Sequence, residues 1–168
     1  MLRGAFCSVV LLLALLLGPA GSAIAQTPSV EPPTAAAETL LIVEAQTQGV
    51  EPIVGRYGER ALRTQSETRG YRVLESDQAR LVMQELAVAY PPSLADLWRV
   101  TYRAQARYGV FAVARADQGR YHVKLSVASR DGDGPYYAEG NSSSTDLEAM
   151  VAGLLEQALP RPTAPIPA

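Results

Sequence analysis

Few side chains in this sequence could carry catalysis or hold a metal ion. His122 is the only histidine and Cys7 the only cysteine in 168 residues, so neither a histidine pair nor a cysteine pair is available for a zinc-type site. His122 also has no serine or acidic residue at the spacing of a catalytic motif. We therefore predict no catalytic residue, no metal site and no cofactor, and we interpret His122 as a solvated side chain on a strand.

One short acidic segment has the spacing of a calcium loop. Asp131-Gly132-Asp133-Gly134 resembles the beginning of an EF-hand. That loop requires further oxygen ligands and a closing bidentate glutamate, and Pro135-Tyr136-Tyr137 supplies neither. The segment is better interpreted as a turn between two strands.

Arginines recur at helical spacing in two places and are candidates for binding. They are Arg99, Arg103 and Arg107 on one predicted helix, and Arg56, Arg60 and Arg63 on another. In a chain of formal net charge −2, such faces could bind an anionic polymer or an acidic partner. The alternative is a solvated helix face whose arginines pair with nearby acids such as Glu59 and Glu67.

A pair of tyrosines is the second candidate for binding. Tyr136 and Tyr137 lie in a segment rich in glycine and serine. An exposed tyrosine buries a large area on binding and loses little rotamer entropy. The alternative is that one of the two packs under a sheet.

The hydrophobic pattern predicts the elements that position these residues. Strands are predicted at 39–45, 71–75, 110–114 and 121–127, with a possible edge strand at 135–140. Helices are predicted at 52–68, from Ser76 to before Tyr90, at 94–108, and from Thr145 to Pro160. The run at 39–45 is apolar throughout, which is typical of a strand buried on both faces.

Spacing within the helices predicts which side chains face the core. The inward set of the first helix is Val54, Tyr57, Ala61, Gln65 and Thr68, and that of the third is Leu97, Trp98, Thr101 and Tyr102. The second helix should bury Ala79, Val82, Met83 and Leu86, and the last Leu147, Met150, Val151, Leu154, Leu155 and Ala158. Predicted N-caps are Ser76, Ser93 and Thr145, with Asp96 and Glu148 completing capping boxes after the last two. Gly70 and Gly109 should end the first and third helices.

The order β-α-β-α-α-β-β-(β)-α predicts an α/β (α+β) domain. Strands joined through helices are expected to be parallel, whereas strands joined by tight turns are expected to be antiparallel. One mixed sheet with helices packed on it satisfies both conditions.

The N-terminus has the three-part layout of a secretory signal peptide. Arg3 is followed by the apolar run Ala5–Leu17, a break at Gly18-Pro19, and small residues that favour cleavage between Ala25 and Gln26. The run of 13 residues is shorter than the roughly 20 needed to span a bilayer. We predict an exported chain with no transmembrane span after cleavage; the alternative is a leader retained as an anchor.

The leader and two proline-rich segments define the predicted boundaries. Residues 1–25 form the leader, 26–38 a spacer rich in proline and alanine, 39–159 a single domain, and 160–168 a disordered tail. Removing Arg3 with the leader reduces the 15 basic side chains to 14 against 17 acidic ones, a net charge of −3. This balance argues against a nucleic-acid-binding protein. Because Cys7 lies in the leader, the mature chain contains no disulfide.

The predicted domain resembles a recurring module of the bacterial envelope. The segments GYRVLESDQARLVMQEL, RAQARYG and VFAVARADQGRYHVKLSVAS resemble the N-terminal domain of the Tol–Pal translocation protein TolB and the curli-secretion lipoprotein family. The matching positions are Gly70, Tyr71, Val73, Gly109 and Val113. The resemblance spans Thr39 to Leu159 and implies an envelope-associated, non-catalytic domain in a Gram-negative bacterium, one that works by contact.

Three functions follow, in order of preference. The first is a periplasmic or secreted accessory protein, not an enzyme, that binds an envelope protein or an anionic envelope polymer through a sheet edge or the arginine faces. The second is a module that binds a small molecule or polysaccharide in a pocket beside the hairpin. The third is an exported hydrolase that uses two of the 17 acidic residues.

Overall fold

The computed structural model describes residues 37–143 and 145–163. The predicted leader 1–25, its cleavage point, all but the last two residues of the 26–38 spacer, and the last five residues of the 160–168 tail lie outside the described residues.

In these residues, five strands form one mixed sheet, and four helices pack on it. The strands are β1 (Thr39–Gln48), β2 (Arg72–Val73), β3 (Tyr108–Asp117), β4 (Arg120–Ser129) and β5 (Tyr136–Ser142). The helices are α1 (Pro52–Thr68), α2 (Ser76–Glu85), α3 (Leu94–Arg103) and α4 (Leu147–Ala158). This α+β architecture confirms the predicted fold class.

The sheet order is β2-β1-β3-β4-β5. β1 is parallel to both of its neighbours, and the pairs β3–β4 and β4–β5 are antiparallel, as the connections require. β1 therefore lies inside the sheet, and its residues Leu40 to Val43 are all buried, as the continuous apolar run predicts.

The helices divide into two pairs, one on each face of the sheet. α1 and α4 cover the face that carries Leu40, Val110 and Leu125, and together they enclose a first core that extends from β1 across to β5. α2 and α3 cover the other face and enclose a second core over β1, β3 and one end of β4, with Leu41 and Phe111 at its centre. We call these the α1–α4 core and the α2–α3 core.

The third helix is shorter than predicted, and half of its predicted inward set is buried. Leu97 and Thr101 face the sheet as predicted. α3 ends at Arg103 rather than Tyr108, and its buried residues include Val100. Trp98 and Tyr102, predicted to be buried, are 42% and 60% exposed. Both sides of this helix offer apolar residues, and the sheet selects the side whose smaller side chains allow a close approach.

Gly109 lies inside β3 and does not end the third helix. A Cβ at this position would overlap Thr101 Oγ1 and lie 3.1 Å from Thr101 Cβ. The glycine therefore lets α3 pack directly on the strand. The chain turns between the two elements at Gln105, whose φ is 55°.

The first helix has its predicted ends but a rotated buried face. Its buried residues are Ala61, Leu62 and Ser66. Tyr57 and Thr68, predicted to face inward, are exposed, and the Tyr57 hydroxyl donates to Glu148 Oε2 of α4 at 3.2 Å. This hydrogen bond places the polar end of Tyr57 across the α1–α4 seam rather than in the core.

Two predictions of helix ends agree with the structure, and two caps are displaced by one residue. Gly70 adopts a φ of 99°, and the Ser93 side chain accepts a hydrogen bond from the Asp96 N–H at 3.1 Å. The N-caps of α2 and α4 are Glu75 and Asp146, not Ser76 and Thr145, and neither makes a side-chain cap. Helix starts read from a serine or threonine alone are uncertain by one position.

The chain after α4 returns to the beginning of the sheet. Arg69 donates to the Leu159 carbonyl at 2.9 Å, and the buried Tyr71 donates its hydroxyl to the Pro160 carbonyl. Burial first, and then the neighbouring Tyr108 and Glu38, raise the pKa of Tyr71 well above its usual value. These contacts hold the end of α4 against the start of the sheet.

Candidate functional site

His122 and the aspartates of the 131–134 segment take structural positions. His122 is half-buried on β4, and its Nδ1 lies 3.0 Å from Asn141 Oδ1 on β5. Asp131 pairs with Arg107 and, at 3.5 Å, with Arg130, so its carboxylate joins the turn to the end of the α3–β3 loop. Within residues 37–143 and 145–163, no group of three histidine, cysteine or acidic side chains could hold a metal ion.

The arginines predicted on the third helix do not form one stripe. Arg99 pairs with Asp96 of the same helix at 3.1 Å. Arg103 pairs with Glu85 of α2. Arg107 lies beyond the helix, pairs with Asp131 and is 5.6 Å from the centre of the Tyr108 ring.

The arginines of the first helix differ from one another in their contacts. Arg63 is half-buried and approaches Glu67 at 4.0 Å and Glu75 at 3.8 Å. Arg56 and Arg60 are exposed and, within the described part of the chain, take part in no ion pair. These two arginines are the members of the predicted set with freely accessible charge.

The two neighbouring tyrosines point to opposite faces of β5. Tyr136 is partly buried against the α1–α4 core. Tyr137 is 53% exposed on the other face, and the Lys124 ammonium lies 5.7 Å from the centre of its ring. Only Tyr137 is available to a partner.

Tyr137 belongs to a polar part of the sheet that α2 and α3 leave uncovered. This open sheet face comprises Arg115, His122, Lys124, Ser126, Tyr137, Glu139 and Asn141, all of them exposed or half-buried. β5 forms the adjacent edge of the sheet. An edge strand offers unpaired backbone groups to a partner.

A groove lies between α3 and the turn that leads from β4 to β5. This α3–β5 groove has a volume of about 280 Å³ and is lined by Leu94, Ala95, Trp98, Ala128, Ser129 and the turn residues Gly132 to Pro135. Trp98 forms one wall and stacks on Tyr102 with ring centres 5.6 Å apart. The exposed aromatic residues of α3 thus lie on the same side of the sheet as Tyr137.

A larger cavity lies at the opposite edge of the sheet. It has a volume of about 470 Å³, and β1 forms its floor with Ile42, Val43 and Glu44. We call it the strand-edge cavity. It opens beyond the carboxyl end of β2, beside the middle of β1.

Charged and aromatic side chains surround the strand-edge cavity. Glu59 of α1 lines it and accepts a hydrogen bond from the Ala45 N–H at 3.1 Å. Tyr90 lines it as well and packs edge-on against Phe111 at 6.2 Å. Burial first, and then Glu44 and Glu59, raise the pKa of the Tyr90 phenol. The phenol hydroxyl points to the Glu44 carbonyl oxygen, 3.5 Å away.

Sequence reasoning did not identify the residues that line either concave site. Trp98 and Tyr102 were assigned to the core together with Leu97 and Thr101 because all four recur at helical spacing, and Val100 was left out. The strand-edge cavity depends on β2, which has only two residues where five were predicted. The prolines at 91 and 92 after Tyr90 were the one available sign that this segment leaves the helix.

No helix in the described part of the chain is long and apolar enough to cross a membrane. No protein-family model matches the sequence, and no curated protein shows significant similarity to it.

Several solved structures are similar to this chain in outline. The LpoB C-terminal domain from Salmonella enterica has 12% identity and a TM-score of 0.49, and the match covers 64% of this chain and 84% of that domain. PelC from Paraburkholderia phytofirmans, a dodecamer, has 15% identity and a TM-score of 0.48, with 76% and 94% covered. Lipoprotein GNA1162 from Neisseria meningitidis has 11% identity and a TM-score of 0.49, with 71% and 94% covered. The fold assignment depends on the strand order given above and not on these matches.

Proposed function

We propose that this chain is a non-enzymatic accessory protein that is exported to the periplasm or secreted and acts by contact with another cell-envelope component. The signal-peptide pattern before Gln26 supports export. The resemblance to Tol–Pal and curli-secretion domains supports a role in the envelope. That resemblance is itself still a prediction. The partner is an envelope protein or an anionic envelope polymer.

The observation that carries the contact role is the placement of three of the exposed aromatic residues. Trp98 and Tyr102, on α3, are 42% and 60% exposed, and Tyr137, on the open sheet face, is 53% exposed. All three lie on the same side of the sheet. Aromatic side chains concentrate binding energy because each buries a large area with few rotamers to fix. The edge of β5 lies beside them, so a partner could use both features.

The predicted arginines contribute unequally to this proposal. Arg56 and Arg60 are available to an acidic partner, although they lie on α1, on the opposite face. Arg99, Arg103 and Arg107 each already have an acidic partner, and would bind an anion only by exchanging it. We therefore assign the primary contact to the aromatic residues.

Cross-linking in intact cells tests this assignment. A photo-reactive phenylalanine analogue is placed at position 137, at position 98, and, as the control, at position 57. Tyr57 is 44% exposed and lies on the opposite face of the sheet. We expect the same envelope component to be captured from positions 137 and 98 but not from 57. Capture from all three positions alike, or only from 57, would overturn the assignment.

A polysaccharide-binding module is the second candidate. The stacked Trp98–Tyr102 pair at the wall of the α3–β5 groove is a flat apolar platform of the kind that sugar rings pack against. Capture of polysaccharide and no protein at position 98 would favour this alternative.

A further inference from the structure

We propose that the strand-edge cavity binds a short extended peptide that carries a basic side chain, and that this peptide adds to the sheet alongside β1 where β2 ends. The proposal concerns a surface remote from the α3–β5 groove and is independent of the contact role above.

The first observation is an interrupted sheet edge. β2 pairs with β1 only at Thr39 and Leu40, and the backbone bonds on this side end with the Leu74 N–H donating to the Leu40 carbonyl at 2.8 Å. β1 continues to Gln48 with a bulge between Val43 and Gln46, and within the cavity the Ala45 N–H is already bonded to Glu59. Alternate residues of a strand direct their backbone groups to the same side, so the Ile42 carbonyl points into the cavity like that of Leu40.

The second observation is the shape of the space beside this edge. α1 and α2 pack on opposite faces of the sheet, and both extend over the edge beyond β2. Glu59 and Arg63 line the cavity from α1, and Ala79 and Met83 line it from α2. The cavity is therefore a slot that a continued β2 would fill. From Ile42 to Glu44, the floor of the slot measures about 7 Å along β1 at roughly 3.3 Å per residue.

The third observation is the charge of the slot. Each lining arginine already has an acidic neighbour, since Arg80 pairs with Asp77 at 3.1 Å and Arg63 approaches Glu75 at 3.8 Å. Glu44 and Glu59 have no basic partner among the residues described. The accessible charge in the slot is thus negative, and it lies beside the apolar side chains of the floor.

These observations together define the chemistry of the ligand. A strand edge recognises peptide backbone through its hydrogen-bonding groups, and side-chain pockets beside it supply specificity. Glu44 and Glu59 favour a Lys or Arg side chain, and Val43 and Met83 favour an apolar residue next to it. A small free amine could pair with the Glu44 and Glu59 carboxylates, but it would leave the backbone groups of β1 without a partner, so a peptide fits the slot better.

The test is a titration of the ¹⁵N-labelled protein followed by amide NMR. The probes are two blocked pentapeptides, Val-Lys-Val-Lys-Val and Val-Glu-Val-Glu-Val. Two further copies of the lysine peptide are N-methylated, one at the amides along one edge of the extended peptide and the other at the amides along the opposite edge. We expect saturable shifts of the Ile42, Glu44 and Leu74 amides with the lysine peptide. The glutamate peptide should bind at least tenfold more weakly, and one of the two N-methylated copies should not bind.

Matched variants separate charge from fold. The double variant Glu44→Gln with Glu59→Gln should weaken binding of the lysine peptide about tenfold, near the upper limit for two partly exposed charge pairs. The fold should be kept, because the side-chain amide oxygen introduced at position 59 can still accept a hydrogen bond from the Ala45 N–H. The control is Glu51→Gln with Glu139→Gln, which removes two charges outside the cavity and should change nothing. The proposal is overturned by equal binding of both peptides, by unchanged binding of both N-methylated copies, or by no saturable shift at millimolar peptide. The dispersion of each NMR spectrum shows that the variant is folded.

Discussion

The two faces of this sheet differ in how completely they are covered. On the face of α1 and α4, buried side chains continue from Leu40 in β1 to Ala138 in β5. On the face of α2 and α3, the buried side chains extend only to Ala128 of β4. The rest of this side of the sheet is the open sheet face. Both faces thus carry a buried core, but only the second leaves part of the sheet, over β4 and β5, open to contact. The division follows from helix placement, because no helix in the described part of the chain extends over β5 on the second side.

The largest expected effect tests this division directly. Leu155 of α4 is fully buried, and Leu155→Ala should lower the free energy of unfolding by about 3 kcal/mol, because the substitution removes apolar contacts and leaves a cavity. Tyr137→Ala, on the open sheet face, should change it by less than about 0.5 kcal/mol. Urea unfolding followed by circular dichroism measures both. Similar losses for the two variants would mean that the open sheet face also contributes to stability.

Gly109 tests how closely the second face is packed where it is covered. Gly109→Ala inserts a methyl group against Thr101 and within 3.4 Å of Leu97 Cδ1, so α3 must move away from β3. We expect a loss of about 2 kcal/mol and, in the NMR spectrum, shifts concentrated in α3 and β3. Gly109→Ala combined with Thr101→Ala is the matched control, since it removes the overlapping hydroxyl and should recover part of the loss. No loss in the single variant would show that α3 is not in direct contact with the strand.

Much of the architecture could be predicted, because periodicity reports which elements exist. The apolar run from Leu40 to Val43 and the alternation from Tyr121 to Val127 each identified a strand, and the connections fixed its direction. The predicted inward sets of α1 and α3 were right in part, since Ala61, Leu97 and Thr101 are buried, and they failed at the aromatic residues for one reason. Tyr57, Trp98 and Tyr102 are large enough to pass for core residues, and spacing alone does not show which of two apolar sides meets the sheet.

The candidate sites could be predicted only in part. Tyr137 was among the predicted residues, but its exposure depends on the register of β5 against β4, which places Tyr136 on the inner face. The ion pairs of Arg103 and Arg107 join residues distant in sequence, so a stripe read along one helix could not reveal them. The strand-edge cavity results from the shortness of β2, and strand ends are the least reliable part of a pattern.

Replacing a glycine in α4, on the first face, should increase stability. Gly153 lies in α4, and a Cβ there would meet nothing within 4 Å. Gly153→Ala should therefore stabilise the protein by about 1 kcal/mol through helix propensity alone. Gly119→Ala is the matched control, because position 119 is equally open but has a φ of +78° and should lose stability. Thermal unfolding of the two variants should move the midpoint in opposite directions, and a common direction would contradict this account.

The smallest expected effect concerns a charge at the start of α3, on the second face. The Ser93 hydroxyl, which donates to Asp96 Oδ2 at 2.6 Å, together with the Arg99 guanidinium, holds the pKa of the Asp96 carboxyl below its usual value. A carboxyl whose pKa is lowered by folding adds stability above its unfolded-state pKa, and this contribution is lost as the pH falls through the folded-state value. Ser93→Ala should raise the pKa of Asp96 toward the ordinary value, which a carbon-detected NMR titration measures. The same variant should lower the free energy of unfolding by about 1 kcal/mol, because the N-cap is lost.

Arg99→Gln should raise the pKa of Asp96 by less, since the Arg99–Asp96 pair is exposed and the hydrogen bond from Ser93 is the larger cause. A larger change with Arg99→Gln would mean that the ion pair, not the cap, holds this end of the helix.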